Sequence, residues 1–112
     1  MPDIIKLDNL INDIQQVSYA IYANNLETAQ LKLNDVFGQV SEHYNYMISN
    51  APRYAMMGVQ VPVEILYQHI QNMQEAIKYY DLMQLTDTLL YEITEGLRYL
   101  IELIKQENGL EA

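Results

Sequence analysis

His43 and His69 are the only imidazoles in the chain, and imidazole is the side chain best suited to ligate a metal or move a proton near neutral pH. Helical bundles that hold two metals place a glutamate three residues ahead of a histidine, so that both project inward from one face. Here Glu42 is adjacent to His43, and Glu64 stands five residues before His69. Neither spacing puts the pair on one face, so both are read as surface or boundary histidines and no metal is expected. Glu92 and Glu95 share a face, but on the polar side. A solvated carboxylate pair there lacks the apolar pocket that general acid-base work requires. Ser18, Ser41 and Ser49 stand in no nucleophile motif, four scattered glycines form no phosphate loop, and the absence of cysteine removes thiolate catalysis, disulfides and cysteine zinc sites. The expectation is a protein that is not an enzyme, holds no cofactor and takes no small-molecule substrate.

The elements that carry these residues follow from hydrophobic periodicity. In the stretch from Asp81 to Gly109, Leu82, Leu85, Leu89, Ile93, Leu97, Leu100 and Ile104 recur every three or four residues, as on one face of a helix. The opposite set is Gln84, Asp87, Tyr91, Glu95, Arg98, Glu102 and Lys105. It contains Glu95/Arg98, Arg98/Glu102 and Glu102/Lys105 at the spacings where opposite charges meet on a helix. A stripe of this length needs cover, and the upstream chain supplies it.

Ile4, Leu7, Ile11, Ile14, Val17 and Ile21 form a first stripe over residues 3–23, interrupted by Asn24 and Asn25. Either asparagine can cap the next helix, and Asn24 with Glu27 has capping-box spacing. The second stripe runs from Leu26 through Leu33, Val40 and Tyr44 to Ile48, ending at Asn50-Ala51-Pro52, where asparagine can turn left-handed and proline stops the helix. Pro62 opens a third helix carrying Val63, Leu66, Ile70, Met73 and Ile77. Asp81 with Gln84 then opens the fourth.

The expected fold is all-α: a single domain, residues 1–112, forming an antiparallel four-helix bundle. It consists of a hairpin at 3–50, a connector at 51–62 and a second hairpin at 63–108. A shift of 56 residues aligns Leu10 with Leu66, Ile14 with Ile70, Ala20 with Ala76, Ile21 with Ile77, Leu26 with Leu82 and Leu33 with Leu89. Two copies of one hairpin is the simplest account. Gly38 and Gly96 lie inside helices at a cost of about 0.5 to 1 kcal/mol relative to alanine, which close approach of a neighbour or a bend would offset.

Fifteen acidic side chains against six basic ones leave a formal charge of -9. Phosphate contacts by lysine and arginine dominate nucleic-acid affinity, so nucleic acid is excluded as a partner, and anionic membrane surfaces are disfavoured on the same ground. No apolar run approaches the roughly 20 residues needed to cross a bilayer, and the acidic N-terminal turns do not read as a signal peptide. A soluble cytoplasmic protein is expected.

Ten tyrosines against one phenylalanine and no tryptophan is the compositional peculiarity. Tyrosine combines an apolar ring with a wet hydroxyl and suits both the rim of a core and a protein interface. Tyr91 interrupts an otherwise polar stripe, as an exposed anchor would. In the connector, Tyr54, Met56, Met57, Val59 and Val61 accompany a single charge, Arg53. Such a segment either caps the bundle or docks a partner, and exposure of Met56 and Met57 separates the two. The partner-binding candidates are therefore Tyr54, Met56, Met57, Val59 and Tyr91.

The run Asp81, Leu85, Asp87, Leu89-Leu90, Tyr91-Glu92 resembles a pattern in small all-helical proteins of Gram-positive bacteria. Size, acidity and helical character are similar to those of flagellar-export chaperones, which wrap an aggregation-prone helical client, although none of their motifs is matched residue by residue. The functional expectation is a non-enzymatic interaction module, a chaperone or adaptor that takes a helical segment of a partner between its helices or pairs with itself. The alternative is an acidic neutralising protein, an antitoxin or immunity factor masking a basic partner.

Overall fold

The computed structural model describes residues 2–109, and among them every regular element is helical. Helix α1 is Ile4–Tyr22, α2 is Leu26–Ser49, α3 is Ala51–Met56 and α4 is Val63–Lys78. The C-terminal helix, residues 82–107, has three parts: α5 at Leu82–Asp87, a π-helical segment at Thr88–Ile93, and α6 at Thr94–Glu107. No helix among the described residues is long and apolar enough to cross a membrane.

The stripes become the core. Leu7, Leu10, Ile14 and Val17 of α1, Val36, Val40, Tyr44 and Met47 of α2, Leu66 and Met73 of α4, and Leu85, Leu89, Ile93, Leu97 and Leu100 of the C-terminal helix are all buried. Helix α1 lies along α2 and the C-terminal helix, while α4 lies along α2, α5 and the π segment. Buried hydroxyls return to the backbone one turn back, Ser18 to Ile14 O and Thr86 to Leu82 O, both at 2.9 Å. No buried side-chain donor or acceptor among the described residues is left without a partner. Of the three ion pairs expected along the C-terminal helix, Glu95–Arg98 forms at 3.3 Å and Glu102–Lys105 at 3.7 Å.

The first interhelical turn shows which of the two asparagines takes each role. Asn25, not Asn24, caps α2, its Oδ1 accepting from the Thr28 N–H at 3.4 Å. Asn24 instead takes the left-handed conformation at φ 59°, so that the Asn25 N–H reaches Ala20 O at 2.7 Å and the Asn24 N–H reaches Ile21 O at 3.0 Å. This closes the last carbonyls of α1. The second turn repeats every one of these bonds 56 residues on. Tyr80 is left-handed at φ 54°, the Asp81 N–H meets Ala76 O at 2.9 Å, the Tyr80 N–H meets Ile77 O at 3.2 Å, and Asp81 caps Gln84 N at 3.0 Å.

The connector at 51–62 also needs correction, because half of it is helix α3. Pro52 falls in the first turn of α3, where its missing N–H leaves no bond unmade, and Asn50 stays right-handed at φ -97°. Instead of stopping the helical course, the proline restarts it after one residue. The reversal comes later, at Gly58, whose φ of +82° suits glycine.

Candidate functional site

Along the C-terminal helix, Leu85, Leu89, Ile93 and Leu97 are separated by three consecutive steps of four and are all buried. A regular helix turns 3.6 residues per turn, so each such step overruns the face by about 40°, and three steps overrun it by about one residue. A π-bulge absorbs one extra residue, and the chain places one there. The Thr94 N–H bonds to Leu89 O five residues back, and the Thr94 hydroxyl donates to the same carbonyl at 2.8 Å.

Behind the bulge sits Tyr44, fully buried on α2. Its hydroxyl is 2.9 Å from Nδ1 of His69 on α4, and 3.5 Å from the carbonyls of Glu92 and Ile93 in the π segment. The ring reaches that position only because residue 96 is glycine: a Cβ there would lie 2.6 Å from Tyr44 Cζ and closer still to the hydroxyl. Close approach is thus the reason for Gly96. Gly38 has open space around it, and nothing in the structure explains it.

Glu92, in the π segment, and His43, on α2 beside the core residues Tyr44 and Met47, both lie deeper than expected of them. Glu92 is not a solvated partner of Glu95. It is half-buried and accepts from Asn72 Nδ2 on α4 at 2.9 Å, whereas Glu95 is exposed and meets Arg98. His43 is buried rather than superficial, its Nδ1–H donating to Gln39 O at 2.7 Å.

Burial pushes the Tyr44 hydroxyl well above the usual phenol range, with the Glu92 carboxylate adding to it. Burial pulls His69 below its ordinary 6.5, against the opposing pull of Glu92. At neutral pH the pair is therefore a protonated phenol hydrogen-bonded to a neutral imidazole, a fixed strut between α2 and α4 that touches the π segment. Because unfolded His69 takes up a proton at higher pH than the folded form, stability falls as pH drops from about 7 through the 6.5 of the unfolded state toward the folded value. His69→Gln is expected to flatten this limb, as read from urea midpoints between about pH 7.5 and 5. An unchanged slope in the variant would exclude the strut as its source.

On the π segment Leu90 stays partly buried against the core, while Tyr91 points outward. Tyr91 is 68% exposed, and it forms a ridge between two clefts. One, of about 380 Å³, is walled by Tyr19 and Tyr22 of α1 with Leu90 and Tyr91, Gln15 and Ser18 completing it. The other, about 660 Å³, brings Met83 and Tyr91 together with Asp81, Asp87 and Glu92 and contains no basic residue. Tyr19, Tyr22 and Met83 are all exposed.

The connector candidates lie elsewhere, about sixteen residues and about 24 Å further along the C-terminal helix. Tyr54 is buried and its hydroxyl donates to Glu107 Oε1, so it belongs to the packing of α3 and not to an open surface. Arg53 stacks 4.6 Å over the Tyr54 ring and forks onto Glu107 at 2.9 and 3.4 Å. Val61 is buried and Val59 half-buried, while Met56 and Met57 are exposed. The segment caps with one face, through Tyr54 and Val61, and leaves the two methionines in solvent, the exposure that favours docking over capping for that pair.

No family model, curated protein or solved structure matches the chain. The functional reading therefore rests on the chain's own geometry. Of the candidates named from sequence, only Tyr91 joins a concave surface with other exposed aromatics. Tyr44, His69 and Gly96 were each visible in the sequence, as a core-stripe residue, a boundary histidine and a helix-interior glycine, but their convergence was not, because they lie on three different helices. The three successive steps of four from Leu85 to Leu97 were the one signal that could have revealed the bulge.

Proposed function

We propose that the protein is a non-enzymatic interaction module that binds an amphipathic, basic helical segment of a partner protein along the Tyr91 ridge. The four long helices act as the scaffold, an antiparallel bundle of two hairpins descended from one duplicated unit. The 56-residue repeat of the turn hydrogen bonds supports that ancestry.

One observation carries the binding reading. Tyr91 stands exposed on a braced π segment, with an aromatic cleft on one flank and an acidic cleft free of basic residues on the other. Apolar side chains of an incoming helix would enter beside Tyr19 and Tyr22, and its lysines or arginines would meet Asp81, Asp87 and Glu92. π-Helical turns are rare and appear mostly as single-turn bulges inside α-helices, frequently at functional sites. Tyrosines in such a setting are typical binding hot spots.

A photo-reactive benzoylphenylalanine at position 91, introduced in the native host, tests this against the same group at Leu31, which is exposed on α2 and lines neither cleft. The expected product is a cross-link from position 91 alone, to a basic amphipathic segment. That segment, made as a peptide, should bind with Tyr91→Ala weakened about 30-fold or more and Leu31→Ala unchanged. Binding should persist in part at about 0.5 M salt, since screening removes only its charged component. Equal labelling from both positions, or a peptide indifferent to Tyr91→Ala, overturns the groove. Complete loss at high salt with Tyr91→Ala neutral would favour a charge-masking antitoxin or immunity factor instead.

A further inference from the structure

The buried Tyr44 hydroxyl has a single proton and more than one acceptor within reach. His69 Nδ1 lies 2.9 Å away, while the carbonyls of Glu92 and Ile93 lie at 3.5 Å, the far limit of a hydrogen bond. Only one of these can take the proton at a time, and an imidazole nitrogen accepts only while it carries no hydrogen. His43 is the opposite case: its Nδ1 faces the Gln39 carbonyl and can meet it only as a donor.

The groups that face His69 are Tyr44 from α2 and Glu92 from the π segment. Glu92 is held on the same face of α4 by Asn72, three residues beyond His69, whose Nδ2 donates to it at 2.9 Å. The other charges on the packed elements point elsewhere. Glu42 of α2 and Asp87 of α5 are exposed, and Glu95 of α6 meets Arg98. On α4 itself the stretch from Ile65 to Met73 carries no charged side chain, and its other titratable group, Tyr67, is exposed.

We propose that Tyr44 donates to the neutral ring at Nδ1 and that His69 is a proton-operated switch on the π segment. When a proton from solvent adds to Nδ1, that nitrogen becomes a donor and the phenol can no longer donate to it. The hydroxyl then turns about its Cζ–O bond, accepts from His69 and gives its own hydrogen bond to the Glu92 and Ile93 carbonyls. Tyr44 keeps its proton throughout, and no covalent bond changes apart from the new N–H. Because those carbonyls stand at 3.5 Å, the new bond forms by drawing the π segment toward Tyr44, and attraction between the imidazolium and Glu92 pulls the same way. Burial holds His69 neutral until the pH falls below its ordinary 6.5, so the switch is at rest at neutral pH. Tyr91 directly precedes Glu92, so the movement reaches the ridge; only this last consequence rests on the binding reading of Tyr91.

The switch is read in the full chain with no partner present, so its failure is distinct from a failure of the ridge to bind. NMR of the imidazole nitrogens between about pH 7.5 and 5 gives the protonation of each ring. At the upper end His69 should carry its proton on Nε2 and His43 on Nδ1. On acidification the carbonyl carbons of Glu92 and Ile93 and the Tyr91 amide should shift with the same midpoint as the His69 ring. Tyr44→Phe should leave His69 titrating and lose the carbonyl transition, and Glu92→Gln should keep the transition and move its midpoint to lower pH. A neutral His69 protonated at Nδ1, carbonyls that do not follow the ring, or a transition that survives in Tyr44→Phe overturns the switch. A midpoint unmoved by Glu92→Gln overturns the part given to Glu92, and a Tyr91 amide that stays still overturns the hold on the ridge. If Tyr44→Phe fails to fold, His69→Gln decides: loss of the carbonyl transition supports the switch and its persistence refutes it.

Discussion

Gly96→Ala is expected to destabilise the protein by about 3 kcal/mol, at the upper end of what over-packing one methyl into a core costs, while Gly38→Ala is expected to stabilise it by about 0.5 to 1 kcal/mol. Both glycines lie inside helices and both substitutions improve helix propensity by the same amount. The opposite signs come entirely from what surrounds them. Around Gly38 a Cβ meets open space, so only the propensity gain remains. At Gly96 the same atom lands on the buried Tyr44 ring, which is held by His69 and cannot withdraw without breaking that bond. Urea unfolding of both single variants checks the signs. A cycle with Tyr44→Leu adds a sharper test, because removing the ring should recover most of the Gly96→Ala penalty if the two collide. Additive effects would show that the penalty has another origin.

Tyr54→Ala is expected to cost about 3 to 5 kcal/mol, the range for deleting a large buried ring. The ring is buried, and its hydroxyl joins the Arg53 guanidinium as a donor on Glu107, tying α3 to the end of the C-terminal helix. Those donors, Arg53 first and Tyr54 second, hold the Glu107 carboxylate below its usual range. The stability they contribute is therefore present above pH 4.5 and is lost as pH falls through the lower folded value. Tyr54→Phe keeps the ring and loses only the hydroxyl, so it should retain most of the stability while weakening this acid limb. Urea midpoints and amide exchange in α3 read both effects. If Tyr54→Ala proves nearly neutral, α3 is a surface appendage and the whole connector returns to being a docking element.

Much of the architecture is legible in the order of residues, because a helix that buries one face writes a local period into its segment. The stripes from Leu7 to Val17 and from Leu85 to Ile104 needed only counting, and Asp81 with Gln84 announced a real cap. The asparagine turn was legible only in part: both residues were visible as punctuation, but which one reversed the chain and which one capped depended on backbone angles. Pro52 misled because its effect differs between the first turn of a helix and the interior.

What the residues alone determined was that this chain is helical, acidic and built of amphipathic rods, since periodicity and charge are properties of each segment by itself. Only the tertiary structure decided that Tyr44 enters the space left by Gly96, that His43 is buried and Glu92 half-buried against Asn72, and that two clefts flank Tyr91. Those outcomes depend on the distances between helices, and a residue's spacing along its own helix carries no record of which side chain from another helix will fill the gap beside it.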